Sequence, residues 1–576
     1  MDLWQHLAAR RKQPAQPQAT ANRRSEVQRI IDLPRWNPKA WAGEDVRKRE
    51  GLTLRPIQQK ALAAIREADG GLLPIGVGHG KTYIALLAGA AMGADLVILL
   101  TPPRTVDQVY VSLANTDNHF RIPRTEVVPY SMLSRPDASD LLRRLIEGVD
   151  PSKIVLVADE AHNLKRHTAA RTKRVARFLE EFPRIRFVAM SGTLTAKSIL
   201  DFAHLSEWAL RSGSPLPRPS VPQGNAALGH WAAAIDADGR AASHNWEWCQ
   251  PLWDWYGHAG HILAKVPQER KEGVRVAFRT RLSLTTGVVT TDESSFGASL
   301  YFERLKPALP KEILEAMAHV EETKCKPDGD PIESPVDQWR ILRQLSLGFW
   351  YRWVWPDGIV DYAWLDARAA WARQVRSQLD NHATEGYDSP LLVYNRVARE
   401  HAAGERRVIH RAWEAWKGVK DRPTPPVEAV WVSDKVLDTA LHGVLQSKEP
   451  VIVWYSDDAV AQALAKRGLE VVRAGKPVPA KARTVCLSVK SHGTGLNLQA
   501  WSQNLVLTPS SSGLEWEQLI GRTHRSGQEA DEVWVSVLAH TEAFREALKN
   551  AFRDAEYLQH TTGQAQKLLL ACQIEK

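Results

Sequence analysis

Largely apolar runs of four or five residues, each closed by a polar turn, recur in two separate stretches of this chain. Leu96–Leu100, Ile154–Ala158 and Phe187–Met190 form the first set; Val451–Trp454, Thr484–Ser488, Asn504–Leu507 and Val533–Val537 form the second. Such short runs, bounded by turns, are the pattern of strands buried on both faces. Helix-like segments stand between them, and that alternation predicts an α/β fold with parallel sheets covered by helices. Tyr83–Leu100 is apolar enough to suggest a membrane span, but Gly93-Ala94 and Asp95 interrupt it. A buried helix, a tight turn and a short strand account for it better.

The pattern divides the chain into five parts. Residues 1–50 read as a basic, partly disordered arm with some helix near Ser25–Leu33, since they carry 11 Lys/Arg against 6 Asp/Glu. Residues 51–205 hold the first alternating stretch. Residues 206–430 change character: Pro215–Pro222 breaks the pattern, Trp becomes frequent, helical periodicity runs from Lys311 to Lys420, and Pro423-Thr-Pro-Pro426 closes the region. This part is expected to be a large, mostly helical insertion. Residues 431–545 hold the second alternating stretch, and 546–576 a helical tail. No internal repeat of fixed period is present.

Composition narrows the classes. Length alone suggests roughly three or four domain-sized units. The 75 Lys+Arg against 66 Asp+Glu give a net charge of +9, which suits a polyanionic partner. Cys249, Cys325, Cys486 and Cys572 lie far apart, so neither a zinc site nor a disulfide framework is indicated. A reducing, cytoplasmic setting is expected, and the N-terminus shows no secretory signal pattern.

Three segments carry chemistry. In Gly76-Val-Gly-His-Gly-Lys-Thr82, glycines at 76, 78 and 80 allow backbone N–H groups to curl around phosphate oxygens at a helix start. Lys81 would reach the β/γ-phosphates and the Thr82 hydroxyl a Mg²⁺ ion. Ile75 stands where a strict phosphate loop has its first Gly, and a Gly-rich turn is the plainer reading. Asp159-Glu160-Ala-His162 follows a buried strand, where carboxylates face the ligand crevice. There Asp159 can hold Mg²⁺ and Glu160 can orient and deprotonate water; an ordinary helix N-cap at Asp159 is the alternative. Finally, Gln518-Leu-Ile-Gly-Arg-Thr-His-Arg-Ser-Gly-Gln528 sets Arg522 and Arg525 on one helix face. Two forked guanidiniums suit a polyphosphate, although a solvated basic face has the same spacing.

Taken in order, Leu54-Arg-Pro-Ile-Gln58, Gly78–Thr82, Asp159–His162, Ser191-Gly-Thr193, Gly493-Thr-Gly-Leu-Asn-Leu498 and Gln518–Gln528 resemble superfamily 2 helicases. With Lys165 after the Asp-Glu-Ala-His (DEAH) box and His-Arg-x-Gly-Gln ending the last motif, the chain looks most like Swi/Snf-type duplex DNA translocases. Gly348-Phe-Trp-Tyr-Arg352 within a Trp-rich segment is similar to compact phage and prophage members. The resemblance covers residues 51–205 and 431–545, roughly half the chain. It implies two RecA-like lobes with the helical, Trp-rich insertion between them.

The resemblance also implies roles. Gln58 would read adenine; Gly78, His79, Gly80, Lys81, Thr82 and Gly495 would bind ATP; Gln528 would brace the last motif. Asp159 and Thr82 would hold Mg²⁺, and Glu160, Arg522 and Arg525 would act in hydrolysis, with Arg525 the arginine finger. Ser191 and Thr193 would couple hydrolysis to lobe movement. Nucleic-acid contacts would come from Thr101, Arg104, Tyr130, Ser131, Ser456, Ser491 and Thr494, small polar groups suited to sequence-independent phosphate tracking; for each, an ordinary strand-end turn is the alternative. Where the family often has Trp-Asn-Pro, this chain has Ser510-Ser-Ser-Gly513. The expectation is a monomeric, cytoplasmic motor of a bacterial or phage-infected cell, translocating on duplex DNA. A strand-separating helicase on DNA or RNA is the alternative within the class. Outside it stand a non-hydrolysing, ATP-gated recruitment module and a nuclease fusion.

Weaker patterns remain. Trp246, Trp248, Trp253, Trp255 and Tyr256, and Trp339, Trp350, Tyr351, Trp353 and Trp355, could stack bases but more often pack cores. Lys165, Arg166, Arg171, Lys173, Arg174 and Arg177 suit a phosphate backbone or a solvated helix face equally. His244 with Cys249, and His258 with His261, lack the further ligands of a metal site.

Overall fold

The computed structural model describes residues 26–575 except 38, 135–137, 166, 168, 193–197, 237–242, 259–266, 292–297, 331, 333, 356–357, 381–389, 448, 480–481, 494–495 and 526, and except the side chains of 104, 134, 138–139, 243–245, 258, 267–270 and 379–380. Thr193, Thr494, Gly495 and the first 25 residues of the basic arm therefore lie outside the described residues, as do the side chains of Arg104, Arg166, His244, His258 and His261.

The chain builds two parallel sheets flanked by helices. The first comprises β1 (Gly71–Leu73), β2 (Leu96–Thr101), β3 (Arg124–Pro129), β4 (Ile154–Asp159) and β5 (Arg186–Met190), in the order β1-β5-β4-β2-β3. Its strands alternate between two cores. Leu96, Ile98 and Leu100 face one side with Leu156 and Phe187, while Val97 and Leu99 face the other with Val155, Val157 and Val188. Burial on both faces is why these runs are apolar at every position. The helix Lys81–Ala91 and β2 fill the stretch that resembled a membrane span.

The second sheet has seven strands, all parallel. After β6 (Ser299–Leu305), and a separate antiparallel pair β7 (Phe349–Trp353) and β8 (Val427–Trp431), come β9 (Val451–Tyr455), β10 (Val471–Val472), β11 (Val485–Ser488), β12 (Gln503–Val506), β13 (Glu532–Leu538) and β14 (Cys572–Glu575). Their order is β10-β11-β9-β12-β13-β6-β14. All seven strands expected from apolar runs form.

The part boundaries need correction. β6 lies inside the expected insertion, yet it pairs along its whole length with β13. Its Ser-Leu-Tyr-Phe-Glu-Arg-Leu pattern has no continuous apolar run because one face is half-open. Upstream, the helices Pro222–Ile235 and Pro267–Ser283 contribute Ala227, Trp231, Val274 and Phe278 to a core of the first sheet. Tyr362–Asp380, Pro390–Ala402 and Val408–Val419 form a small bundle with its own core around Trp371, Val397 and Trp413, and Val320, Ile341, Leu345 and Trp350 form another small core beside β7.

The helix expected near Ser25–Leu33 forms, whereas the tail differs in part from expectation. Residues 26–32 are helical, with Val27 and Ile30 buried, and Trp36 and Trp41 join the first unit's other core. Glu26 anchors this segment through Arg29 and Arg218, at 2.8 and 3.0 Å. The tail is helical over Glu542–Thr562 and Lys567–Leu570 but ends in edge strand β14. Most of the tryptophans pack cores: Trp246, Trp248, Trp253 and Trp255 lie against the first core, and Trp353 and Trp355 against Trp364.

Candidate active site

Strands β1, β5 and β4 are neighbours, so the segments leaving their carboxyl ends come together. From β1 the chain enters the Gly76–Thr82 loop, where Gly78 and Gly80 take φ of +93° and +73°, a region open to glycine at little cost. Gly80 caps the helix that begins at Lys81. The Lys81 ammonium donates to the carbonyls of Ile75 (3.0 Å) and Gly76 (3.3 Å) and lies 3.7 Å from Glu160 Oε1. Ile75 departs from the strict loop pattern because its side chain is packed in the core. The Gly76 N–H donates to the Thr291 hydroxyl at 2.9 Å, so the loop is braced from the segment that leads to β6.

From β4 come Asp159 and Glu160. Glu160 sits at φ +52°, a left-handed conformation that a non-glycine residue adopts only at a cost of about 1–3 kcal/mol. In that conformation its carboxylate meets Lys81, His162 Nδ1 (3.3 Å) and the Ser191 hydroxyl, which donates at 3.3 Å. His162 and Ser191 also bond each other at 3.0 Å. Burial raises the Asp159 carboxyl to about 7, helped by the charge of Glu160. Burial pushes Glu160 up as well, but the charges of Lys81, His162 and Arg522 outweigh it and hold that carboxyl below the usual range. One acid of the pair is thus proton-holding and the other ionised, the separation that lets two carboxyls take different tasks.

The helix Gly513–Thr523, which follows β12, delivers the arginines. Gln518, Arg522 and Arg525 line the same cavity, of about 230 Å³, as Gly78, Gly80, Lys81, Thr82, Asp159 and Glu160. Ligand pockets usually span about 300–1,000 Å³, so this cavity is at the small end. The helix reaches the loop because residue 521 is glycine: a Cβ there would stand 2.7 Å from Val77 Cγ1. The pairing of Val77 with Gly521 was not foreseen from sequence.

The two arginines differ. Arg522 is buried, and its guanidinium donates to the carbonyls of Gly493, Gln518 and Leu496 at 3.1–3.2 Å. Arg525 bonds the side chain of Asn497 at 2.6 Å, and its Nε is buried with no hydrogen-bond partner. Gln528 donates to the carbonyls of Trp501 and Thr523 and accepts from Ala530 N–H, bracing the turn after the arginines.

Other expected site residues are placed differently. Both ends of the Gln58 amide are engaged: Nε2 donates to Gly80 O at 3.0 Å and Oε1 accepts from Arg55 N–H at 2.8 Å. Reading a base would require those bonds to open. His79 is buried, and burial together with Lys567 and Lys81 lowers its pKa to about 4, so it is neutral. Thr101 and Tyr130, expected to touch nucleic acid, are corrected to interior roles. Both are buried; Thr101 bonds Thr105 at 2.7 Å, and the Tyr130 hydroxyl donates to Asp159 O at 2.8 Å. Ser131 is exposed and Ser491 half-buried.

Ser456 lines a second cavity of about 620 Å³, beside the first along the arginine helix, together with Arg340, Arg343, Lys490 and Ser510–Ser512. Arg340 and Arg343 were not foreseen, although their three-residue spacing matches that of Arg522 and Arg525. In the basic run after His162, Arg174 is spent on the Leu133 carbonyl.

Thr82 and Asp159 both line the first cavity, and a hydroxyl beside a carboxyl is an oxygen-donor pair that fits a hard divalent cation, whose charge would favour the ionised form of Asp159. Comparison with family models and with curated proteins finds no match to this chain.

Proposed function

We propose that this protein is a nucleic-acid-dependent ATPase, a motor of two RecA-like lobes that translocates on duplex DNA. The observation that carries the reading is the shared cavity: a phosphate loop and two acids from one sheet, and two arginines from the other. Neither half alone could neutralise a triphosphate. Together they form a site that depends on the relation of the two units, which is what a motor needs.

In this reading Gly78, Gly80 and Lys81 cradle the phosphates. Lys81 would exchange its bonds to Ile75 and Gly76 for phosphate oxygens. Thr82 and Asp159 would hold Mg²⁺, which when bound supplies positive charge beside the phosphates. The ionised Glu160 takes the proton of the attacking water. Arg525, with a single side-chain partner, is free to swing onto the terminal phosphate, whereas Arg522 fixes the frame around it. Ser191 and His162 connect Glu160 to the end of β5, a route from hydrolysis to movement.

The nucleic acid would lie along the second cavity, where Ser456, Lys490 and Arg340 offer sequence-independent phosphate contacts. Steady-state hydrolysis measured in parallel with duplex DNA, single-stranded DNA and RNA tests the proposal. Stimulation greatest with duplex supports it; hydrolysis indifferent to all three would overturn it. Triplex displacement without unwinding of a forked duplex would separate translocation from strand separation.

A further inference from the structure

Three residues of the tail, Gln564, Ala565 and Lys567, bond to segments that frame the proposed site. The Gln564 side-chain amide donates to Gly192 O, just after Ser191 at the end of β5. Ala565 N–H donates to Thr291 O at 3.1 Å, and the Thr291 hydroxyl holds the phosphate loop at Gly76. Lys567 N–H donates to Glu517 Oε2 at 2.7 Å on the arginine helix. The Lys567 ammonium lies 3.4 Å from His524 Nδ1, next to Arg525.

Gln564, Gln566, Lys567, Glu517 and His524 are all at least nine-tenths buried. An ammonium has only hydrogens to offer, so His524 Nδ1 must accept. That fixes the neutral tautomer with its proton on Nε2, which donates to Ala298 O at 2.9 Å, just before β6. A charged lysine in such a place is costly unless it is paired and hydrogen-bonded. Glu517 supplies the opposite charge, and His524 receives the direction of the bond.

We propose that Lys567 is a positioning residue for the arginine finger: through His524 it sets the turn that carries Arg525, and through Gln564 and Ala565 it refers that turn to the phosphate loop and Ser191. The tail thereby acts as a strap that lets the arginines follow the state of the loop. The inference rests on the proposed ATPase for its consequence, but its geometry can be tested without turnover.

The test compares the full-length wild type, Lys567→Met, Glu517→Gln and the double variant. Lys567→Met alone strands the Glu517 charge and lowers thermal stability. The double variant removes both charges at nearly constant volume and restores stability, yet leaves His524 without its donor. Hydrogen exchange is then read over 513–528 without nucleotide. The double variant should exchange at least threefold faster at 522–528 than Glu517→Gln, at matched global stability. With duplex DNA and ATP, its kcat should fall tenfold or more at nearly unchanged KM. Exchange unchanged at 522–528, or turnover that returns with stability, overturns the positioning role. A wild type that does not hydrolyse ATP refutes the ATPase reading, while the exchange result still decides the strap.

Discussion

Replacing each arginine in turn separates a finger from a frame, and the structure sets opposite signatures for the two. Arg525 has one side-chain partner, Asn497, so Arg525→Ala gives up one charged hydrogen bond at a partly exposed position. The expected stability loss is about 1 kcal/mol or less. Its loss to catalysis is that of an arginine finger, about 10³–10⁵ in kcat. Arg522 is buried and satisfies three carbonyls, those of Gly493, Gln518 and Leu496. Removing it leaves these acceptors without their donor and opens a cavity, costing roughly 3–5 kcal/mol. For a unit of this size that corresponds to a fall of roughly 6–20 °C in the melting midpoint. Melting curves and duplex-stimulated hydrolysis, measured on both variants with a fluorescent ATP analogue to score binding, provide the assay. Arg525→Ala should melt near the wild type, bind nucleotide and fail to turn over. An Arg525→Ala variant within tenfold of wild-type kcat, or an Arg522→Ala variant that melts like wild type, refutes the division of labour.

Further expectations follow from the same contacts. Lys81→Ala should abolish nucleotide binding and turnover, whereas Glu160→Gln should keep binding while losing turnover by about 10² or more; equilibrium binding and single-turnover hydrolysis distinguish them. Gly521→Ala places a methyl 2.7 Å from Val77, a stiff β-branched side chain, so the arginine helix and phosphate loop must part; kcat should fall while the circular dichroism spectrum is kept, and full activity would show the contact to be dispensable. Asp159 keeps its proton up to about pH 7 when folded but has an ordinary value of 3.8. Its contribution to stability is therefore complete below about pH 4 and lost as pH rises through 7. Asp159→Asn should flatten that part of the stability–pH curve in metal-free protein, as read by denaturant midpoints. Glu26 behaves oppositely: burial raises its carboxyl, but Arg218 and Arg29 outweigh this and bring it to about 2. Its stabilisation is present above pH 4.5 and lost towards pH 2, so Glu26→Gln should cost about 1.5–3 kcal/mol near neutrality and less in acid.

What the sequence determined by itself was local. Strands buried on one or both faces with few polar positions leave short, largely apolar runs, so β2, β4, β5, β9, β11, β12 and β13 could be read directly. The Gly76–Thr82 loop, the Asp159-Glu160 pair and the arginine spacing were equally legible, because each needs particular residue types within a few positions. Edge or half-open strands escaped: β3, β6 and β14 carry polar residues on a face the sheet does not cover. Only the tertiary structure could decide relations between distant segments. Parallel pairing of β6 with β13 moves residues from the expected insertion into the second sheet. The buried hydroxyl of Tyr130 turns an expected nucleic-acid contact into a support for Asp159. The division of Arg522 from Arg525, the contact of Val77 with Gly521 and the run of the tail from Gly192 to His524 leave no periodic trace. They arise where surfaces hundreds of residues apart are pressed together, and one-dimensional patterning records which face is buried, not what it is buried against.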